Sequence, residues 1–512
     1  MPDAATVLDL LKSVSDTSAV AISAPDRPDL SHQELTDLCA GTVAALNGFG
    51  IGRNDRVAIV LPNGPEMATA FVTICCAATT APLNPGYRED EFKFYLDDLK
   101  AKALVVETGS ESPAVAAARL LDVPVIELSV KDGDPSGAFE LTAEGLNGTT
   151  DNGGYAEADD IGLILHTSGT TSRPKIVPLS QRNLVASAGN IRETLSLIPG
   201  DRCMNIMPLF HIHGLIAAVL SSLAAGANIY CTPGFNALKA FGWFDDAKPT
   251  WYTAVPTMHQ AILARASRNE DIVARTELRF VRSSSSSLPP QVMAELEATF
   301  DCPVVEAYGM TEATHQMACN PLPPAARKAG TVGIAAGPEV AIMNLDGRVL
   351  GAGETGEIVI RGDNVTAGYE NNDQANAEAF THGWFRTGDQ GVMDDEGYLA
   401  ITGRLKEIIN RGGEKISPRE VDEVLMDHAA VQQVVTFALP HDKLGEEVAA
   451  VIVLREGSSA DEKEIRSFAA EKLADFKVPR TIVFRDEIPK GATGKLQRIG
   501  LAGKLGLQDD MP

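Results

Sequence analysis

The chain has 512 residues, 44% of them hydrophobic, and its 69 acidic and 44 basic side chains give a formal net charge of −25. At roughly 100–200 residues per domain this length implies more than one core, and the ordinary apolar content excludes wholesale disorder. The acidity argues against a nucleic-acid-binding face, the 5% aromatic content offers few stacking platforms, and no apolar run reaches the length of about 18 residues that marks a membrane span.

From the N-terminus, Ser31-His32-Gln33-Glu34 has the form of a capping box, and Leu35, Leu38, Val43 and Leu46 follow at near-helical spacing. The apolar run 56–61 reads as a buried strand closed by the turn Pro62-Asn63-Gly64, and further short runs follow at 103–106, 123–128 and 161–165. Strands alternating with helices predict an α/β sheet covered on both faces. Polar, Gly-rich loops near 131–137 and 145–154 separate these units. Beyond Arg404 the character changes: a charged strand is expected over 406–413, ending in a glycine pair. Strands at 431–438 and 448–454 and a charged helix at 459–473 complete a compact α/β pattern. A domain boundary near Lys406 divides the chain into 1–405 and 406–512.

The seven cysteines form no C-x-x-C and most lie in apolar runs, which fits buried thiols in a reducing compartment. The first residues lack the basic and apolar regions of a secretory signal, and Asp510-Met511-Pro512 is not a peroxisomal address, so the cytoplasm is the expected location.

The strongest local signal is Thr167-Ser168-Gly169-Thr170-Thr171-Ser172-Arg173-Pro174-Lys175, directly after a predicted strand. Hydroxyls, backbone N–H groups and an ammonium in one loop suit phosphate oxygens. It is not a Walker A loop, because the second glycine is missing and Ile176 follows the lysine. Four more motifs follow in order: Tyr308-Gly309-Met310-Thr311-Glu312, Trp384-Phe385-Arg386-Thr387-Gly388-Asp389, Gly403-Arg404-Leu405-Lys406, and Pro489-Lys490-Gly491-Ala492-Thr493-Gly494-Lys495.

This ordered set resembles the adenylate-forming superfamily of acyl-CoA synthetases, adenylation domains and luciferases, and the resemblance runs essentially the whole length of the chain. It implies a large N-terminal domain of stacked α/β sheets with a β-barrel-like subdomain, and a small mobile C-terminal α/β domain. It also implies ATP, CoA and Mg²⁺, with a small carboxylic acid as the other substrate and neither nucleic acid nor membrane as partner. In this reading Thr167, Ser168, Gly169, Thr170, Thr171 and Lys175 bind the phosphates, Tyr308 lies against adenine, and Thr311 donates to the α-phosphate. Glu312 matches the magnesium ligand, Asp389 and Arg404 the ribose-binding pair, and Lys495 the lysine bridging carboxylate and nucleotide during adenylation. Lys406 matches a hinge, Arg411, Gly412 and Gly413 a loop that faces CoA, and His211 a ring that gates the adenylation site. Where the family loop commonly continues Pro-Lys-Gly, this chain has Ile176, which is expected to reshape the turn after Lys175.

The substrate-facing positions implied by the resemblance are His213, Ser285 within the serine run 283–287, and His315. Such a pocket is short and rich in donors; an alkyl tail there would strand polar groups, whereas a second carboxylate would satisfy them. Several longer stretches, among them Pro208–Leu215, Thr250–Thr257 and Met310–His315, are similar to oxalate–CoA ligases. Ligases for malonate, a hydroxy acid or a fatty acid, and a module loading a carrier protein, are the alternatives.

Overall fold

The computed structural model describes residues 4–167, 174–489 and 496–507. The chain divides into two compact units. The first comprises the described residues up to Leu288 with Val292–Val340 and Ile360–Phe385; the second comprises Pro289–Gln291, Ala341–Val359 and the described residues from Arg386 onward.

The first unit is built on two large sheets. One has seven strands in the order Glu140–Thr142, Val125–Ser129, Ala103–Glu107, Arg56–Val60, Thr79–Pro82, Ile161–Thr167 and Lys175–Ser180. Its apolar central strands pair in parallel, as buried strands joined by helical crossovers do. The other has nine strands, ordered Ile334–Ala335, His315–Cys319, Val304–Met310, Phe280–Ser283, Trp251–Ala254, Arg202–Asn205, Asn228–Cys231, Val20–Ser23 and Leu30–Ser31. Two helical segments that are apolar nearly all round, Pro65–Cys75 and the π-helix His213–Leu220, pack against each other and are almost wholly buried. The expected capping box starts helix His32–Gly48: Ser31 Oγ accepts from the Glu34 N–H at 3.2 Å and Glu34 Oε2 accepts from the Ser31 N–H at 2.8 Å.

A further five-stranded sheet is formed by strands lying between Glu339 and Arg404. Within the second unit, Ile409–Arg411 and Glu414–Ile416 form a hairpin closed by Gly412 and Gly413. Both glycines have positive φ, 60° and 98°, which a two-residue hairpin turn of the primed kind requires. Long antiparallel strands Val431–His441 and Gly445–Leu454 carry the rest of that sheet, and helices Pro418–Met426 and Glu462–Lys472 contribute to its core. The charged segment after Arg404 departs from the expected strand: Glu407 and Ile408 both donate backbone hydrogen bonds to the Arg404 carbonyl, at 2.9 and 3.1 Å. These local bonds make 405–408 a turn and delay the strand to Ile409.

All seven cysteines are buried and unbridged, and burial pushes the Cys75 thiol up to about 12. No helix among the described residues is long and apolar enough to cross a membrane.

Strand Trp251–Ala254 is braced on one face by His259, from helix Pro256–Ala266, whose Nδ1 lies 3.2 Å from the Tyr252 hydroxyl. Burial holds the His259 imidazole down at about 3. A depressed histidine contributes stability that is present above the unfolded value near 6.5 and lost as pH falls toward 3. Chemical denaturation between pH 7 and 4 is therefore expected to show stability falling with acid, and His259→Phe to flatten that slope.

Candidate active site

The phosphate-type loop joins two antiparallel strands. Thr167 pairs with Lys175 and His166 with Ile176, so Thr167 and Lys175 form the base of a hairpin. Ser168, Gly169, Thr170 and Thr171 lie outside the described residues. Ile176 is buried with Ala58, Leu83 and Ile164 in the core of the seven-stranded sheet. Its departure from the usual glycine is thus absorbed by a strand position and leaves Lys175 at the strand start.

Lys175 Nζ sits 4.2 Å from the centroid of the Tyr369 ring, a cation–π contact. The hydroxyl of the same tyrosine donates to Glu312 Oε1 at 2.8 Å. Tyr369 therefore ties the lysine of one motif to the carboxylate of another, and among the described residues no carboxylate pairs with Lys175. Sequence reasoning missed Tyr369, although an aromatic residue in the polar stretch 362–374 was a usable signal.

Tyr308 closes the buried part of strand Val304–Met310, and Thr311 and Glu312 open the short 3-10 turn Thr311–Ala313 that follows. A bulge between Tyr308 and Gly309 brings Gly309 against His315: a Cβ there would stand 2.0 Å from the His315 carbonyl oxygen. Only glycine fits that approach. Past the turn, Thr314 and His315 both have positive φ, 49° and 97°, a costly backbone for non-glycine residues.

His213 begins the π-helix, where Gly214 permits close approach to Pro208; a Cβ at 214 would lie 2.5 Å from the Pro208 carbonyl oxygen. Its Nδ1 is 3.0 Å from Ser285 Oγ and its Nε2 is 2.6 Å from Thr253 Oγ1. The His315 ring meets it edge-on at 4.9 Å. Ser285 also lies in the left-handed region, with φ 71°. The structure thus brings His213, Ser285 and His315 into one cluster, and His211 stands two residues away with its ring tilted against Phe210.

Beneath the cluster is a residue that sequence reasoning missed. Arg282, in strand Phe280–Ser283, is fully buried. It donates to Gln316 Oε1 at 3.2 Å and to Thr253 Oγ1 at 3.3 Å, and approaches His213 Nε2 at 3.4 Å. Burial lowers its guanidinium to about 10, which still leaves it charged at neutral pH.

The second unit holds the remaining described positions. Asp389 is buried on strand Trp384–Met393 directly opposite Arg404, whose Nε reaches Asp389 Oδ1 at 3.0 Å. Lys406 falls in the turn after that strand pair. Arg411 is held by Glu447, with Nε 2.5 Å from Oε1, beside the Gly412-Gly413 turn. Lys495 lies outside the described residues.

The sequence profile of the AMP-binding enzyme family matches residues 12–370, and that of the AMP-binding enzyme C-terminal domain matches 420–495. The chain belongs to this family, as an adenylate-forming acyl-CoA synthetase. Among its relatives, the "Probable CoA ligase CCL9" of Humulus lupulus is 43% identical over 508 residues, covering 96% of this chain and 95% of that protein. The oxalate–CoA ligase of Arabidopsis thaliana is 44% identical over 428 residues, covering 81% of each chain. The crystal structure of ATP-bound MatB from Rhodopseudomonas palustris superposes with a TM-score of 0.88 at 27% identity, covering 99% of both chains.

The contact at Gly309 gives a direct test. Gly309→Ala must push the His315 backbone aside, and displacing a reactive geometry by about 1 Å costs on the order of a hundredfold in rate. ATP–pyrophosphate exchange is expected to fall by about that factor while the far-ultraviolet circular dichroism stays unchanged.

Proposed function

We propose that the protein is an ATP-dependent acid–CoA ligase that forms an acyl-adenylate and then a CoA thioester, with oxalate as its acid. The observation that carries the choice of acid is the polar cluster of His213, Ser285 and His315, two of whose members hold strained backbone. The identity to the oxalate–CoA ligase of Arabidopsis thaliana supports the same choice.

Adenylation places a carboxylate oxygen in line with the α-phosphate while pyrophosphate leaves. Negative charge crowds the reaction, so fixed cations and donors matter more than an acid–base pair. In the proposed assignment Thr167, Ser168, Gly169, Thr170, Thr171 and Lys175 hold the phosphates, Tyr308 packs against adenine, and Thr311 donates to the α-phosphate. Asp389 accepts from the ribose hydroxyls and Arg404 assists it. His211 gates the acid's entry, and Lys495 bridges acid and nucleotide. Glu312 is a hard oxygen donor anchored by Tyr369, which fits magnesium. Magnesium bound there would offset charge on the phosphates. Arg411, Gly412 and Gly413 serve the CoA step, and Lys406 is the hinge between domains 1–405 and 406–512. The seven buried, unbridged cysteines support a reducing compartment such as the cytoplasm.

Pyrophosphate release measured across a panel of acids with CoA tests the reading. Oxalate is expected to give the highest kcat/KM, and His213→Ala, Ser285→Ala and His315→Ala each to lower it about ten- to a hundredfold, since a hydrogen bond to a charged group is worth about 1.5–3 kcal/mol. A preference for hexanoate or an aryl acid would overturn the choice of oxalate.

The two half-reactions separate the remaining roles. Lys495→Ala is expected to abolish adenylate formation yet spare thioester formation from a supplied acyl-adenylate. Lys406→Pro, by fixing φ near about −65°, is expected to slow CoA transfer more than adenylation. Single-turnover measurement of each step checks both.

A further inference from the structure

Arg282 is a buried cation that pairs with no Asp or Glu among the described residues. A buried charge is retained only against a cost, which an opposite charge or a full set of hydrogen bonds must offset. Here the set is incomplete: Nε finds no hydrogen-bond partner among the described residues. None of the three groups that Arg282 meets is a carboxylate, and two of them are His213 and its partner Thr253.

The donor inventory gives these contacts a direction. A guanidinium only donates. Its approach to His213 Nε2 therefore requires that nitrogen to carry a lone pair. Its bond to Thr253 Oγ1 occupies one acceptor site of the hydroxyl, and the Thr253 proton then goes to the same Nε2, at 2.6 Å. Among the described residues Thr253 has no other acceptor. With Nε2 accepting, the proton of neutral His213 sits on Nδ1 and is donated to Ser285 Oγ at 3.0 Å. Ser285 has then received a hydrogen bond and has its own proton to give. Gln316 is fixed for its part by donating to Thr194 Oγ1 and to the Ala336 carbonyl, which turns its Oε1 toward Arg282.

We infer that Arg282 is a positioning residue for acid specificity: through Thr253 it orients His213 and Ser285 as donors toward the pocket, and its charge compensates an anionic group on the acid beyond the reacting carboxylate. This rests on the assignment of His213, Ser285 and His315 to the acid pocket. Among the described residues the guanidinium has no counterion; an acid with a second carboxylate supplies negative charge close by, and an acid with an alkyl end does not.

The test uses the full-length enzyme and Arg282→Met, Arg282→Lys and Thr253→Val, with oxalate and acetate as paired acids. Arg282→Met is expected to raise KM for oxalate about a hundredfold and to lower the oxalate-to-acetate ratio of kcat/KM by at least about tenfold. Arg282→Lys, which keeps the charge, is expected to recover most of that ratio. Selective ¹⁵N labelling of histidine is expected to report Nδ1–H for His213 in the wild type, and loss of that single tautomer in Thr253→Val. An unchanged ratio in Arg282→Met, or Nε2–H in the wild type, would overturn the inference. Should Arg282→Met fail to fold, the ratio in Arg282→Lys and the tautomer in Thr253→Val decide. If the wild type prefers acetate, the oxalate reading falls, while the tautomer measurement still judges the relay.

Discussion

Strands Trp251–Ala254 and Phe280–Ser283 run parallel with Thr253 opposite Arg282, and the chemistry of the first unit is organised around that register. One step of slippage of either strand would send its own side chain to the other face and part the two, because successive strand residues alternate. On their own face they meet the start of the π-helix, and His213 is caught between two strand tips and Ser285. The same alternation puts Tyr252 on the opposite face, where His259 braces it. Tyr252 and Val281 thus go to the core on one face, while Thr253 and Arg282 share the other with the stacked rings of Trp251 and Phe280.

The protein handles small anions while carrying a net charge of −25. Its global field therefore repels the molecules the family acts on, and attraction has to be local. Two cations of the first unit are held without a carboxylate partner among the described residues. Lys175 rests on the face of the Tyr369 ring, with no carboxylate paired to it among the described residues, so its charge is held in place without being neutralised there. Arg282 is shielded from water and set among neutral partners, where a charge acts over a longer range than at a solvated surface.

Much of this was legible in the sequence. The buried strands of the first third and the capping box at Ser31 follow from local patterns, and the structure has them where the patterns put them; of the five ordered motifs, those around Tyr308, Asp389 and Arg404 lie wholly within the described residues. What stayed hidden depends on which residues face each other across strands. Arg282 reads locally as one more arginine ahead of a serine run, and only the pairing with Thr253 makes it a buried partner of His213. Tyr369 is nearly 60 residues from Glu312, and only the folded chain joins them. The segment after Arg404 misled because charged and β-branched residues fit a strand; the Arg404 carbonyl competes for the N–H groups that a strand would have used.

The π-helix at His213–Leu220 has one further consequence. Such a helix holds an extra residue per turn relative to an α-helix, and its advantage is that it can be edited by length. Removing one residue from the stretch would restore ordinary winding, and each residue of an α-helix turns the chain by about 100°. Everything N-terminal to the excision would rotate against everything beyond it, and the imidazole would swing off its present bearing with no change of residue type. A coil of this kind can thus be re-aimed by gain or loss of a single codon as well as by substitution.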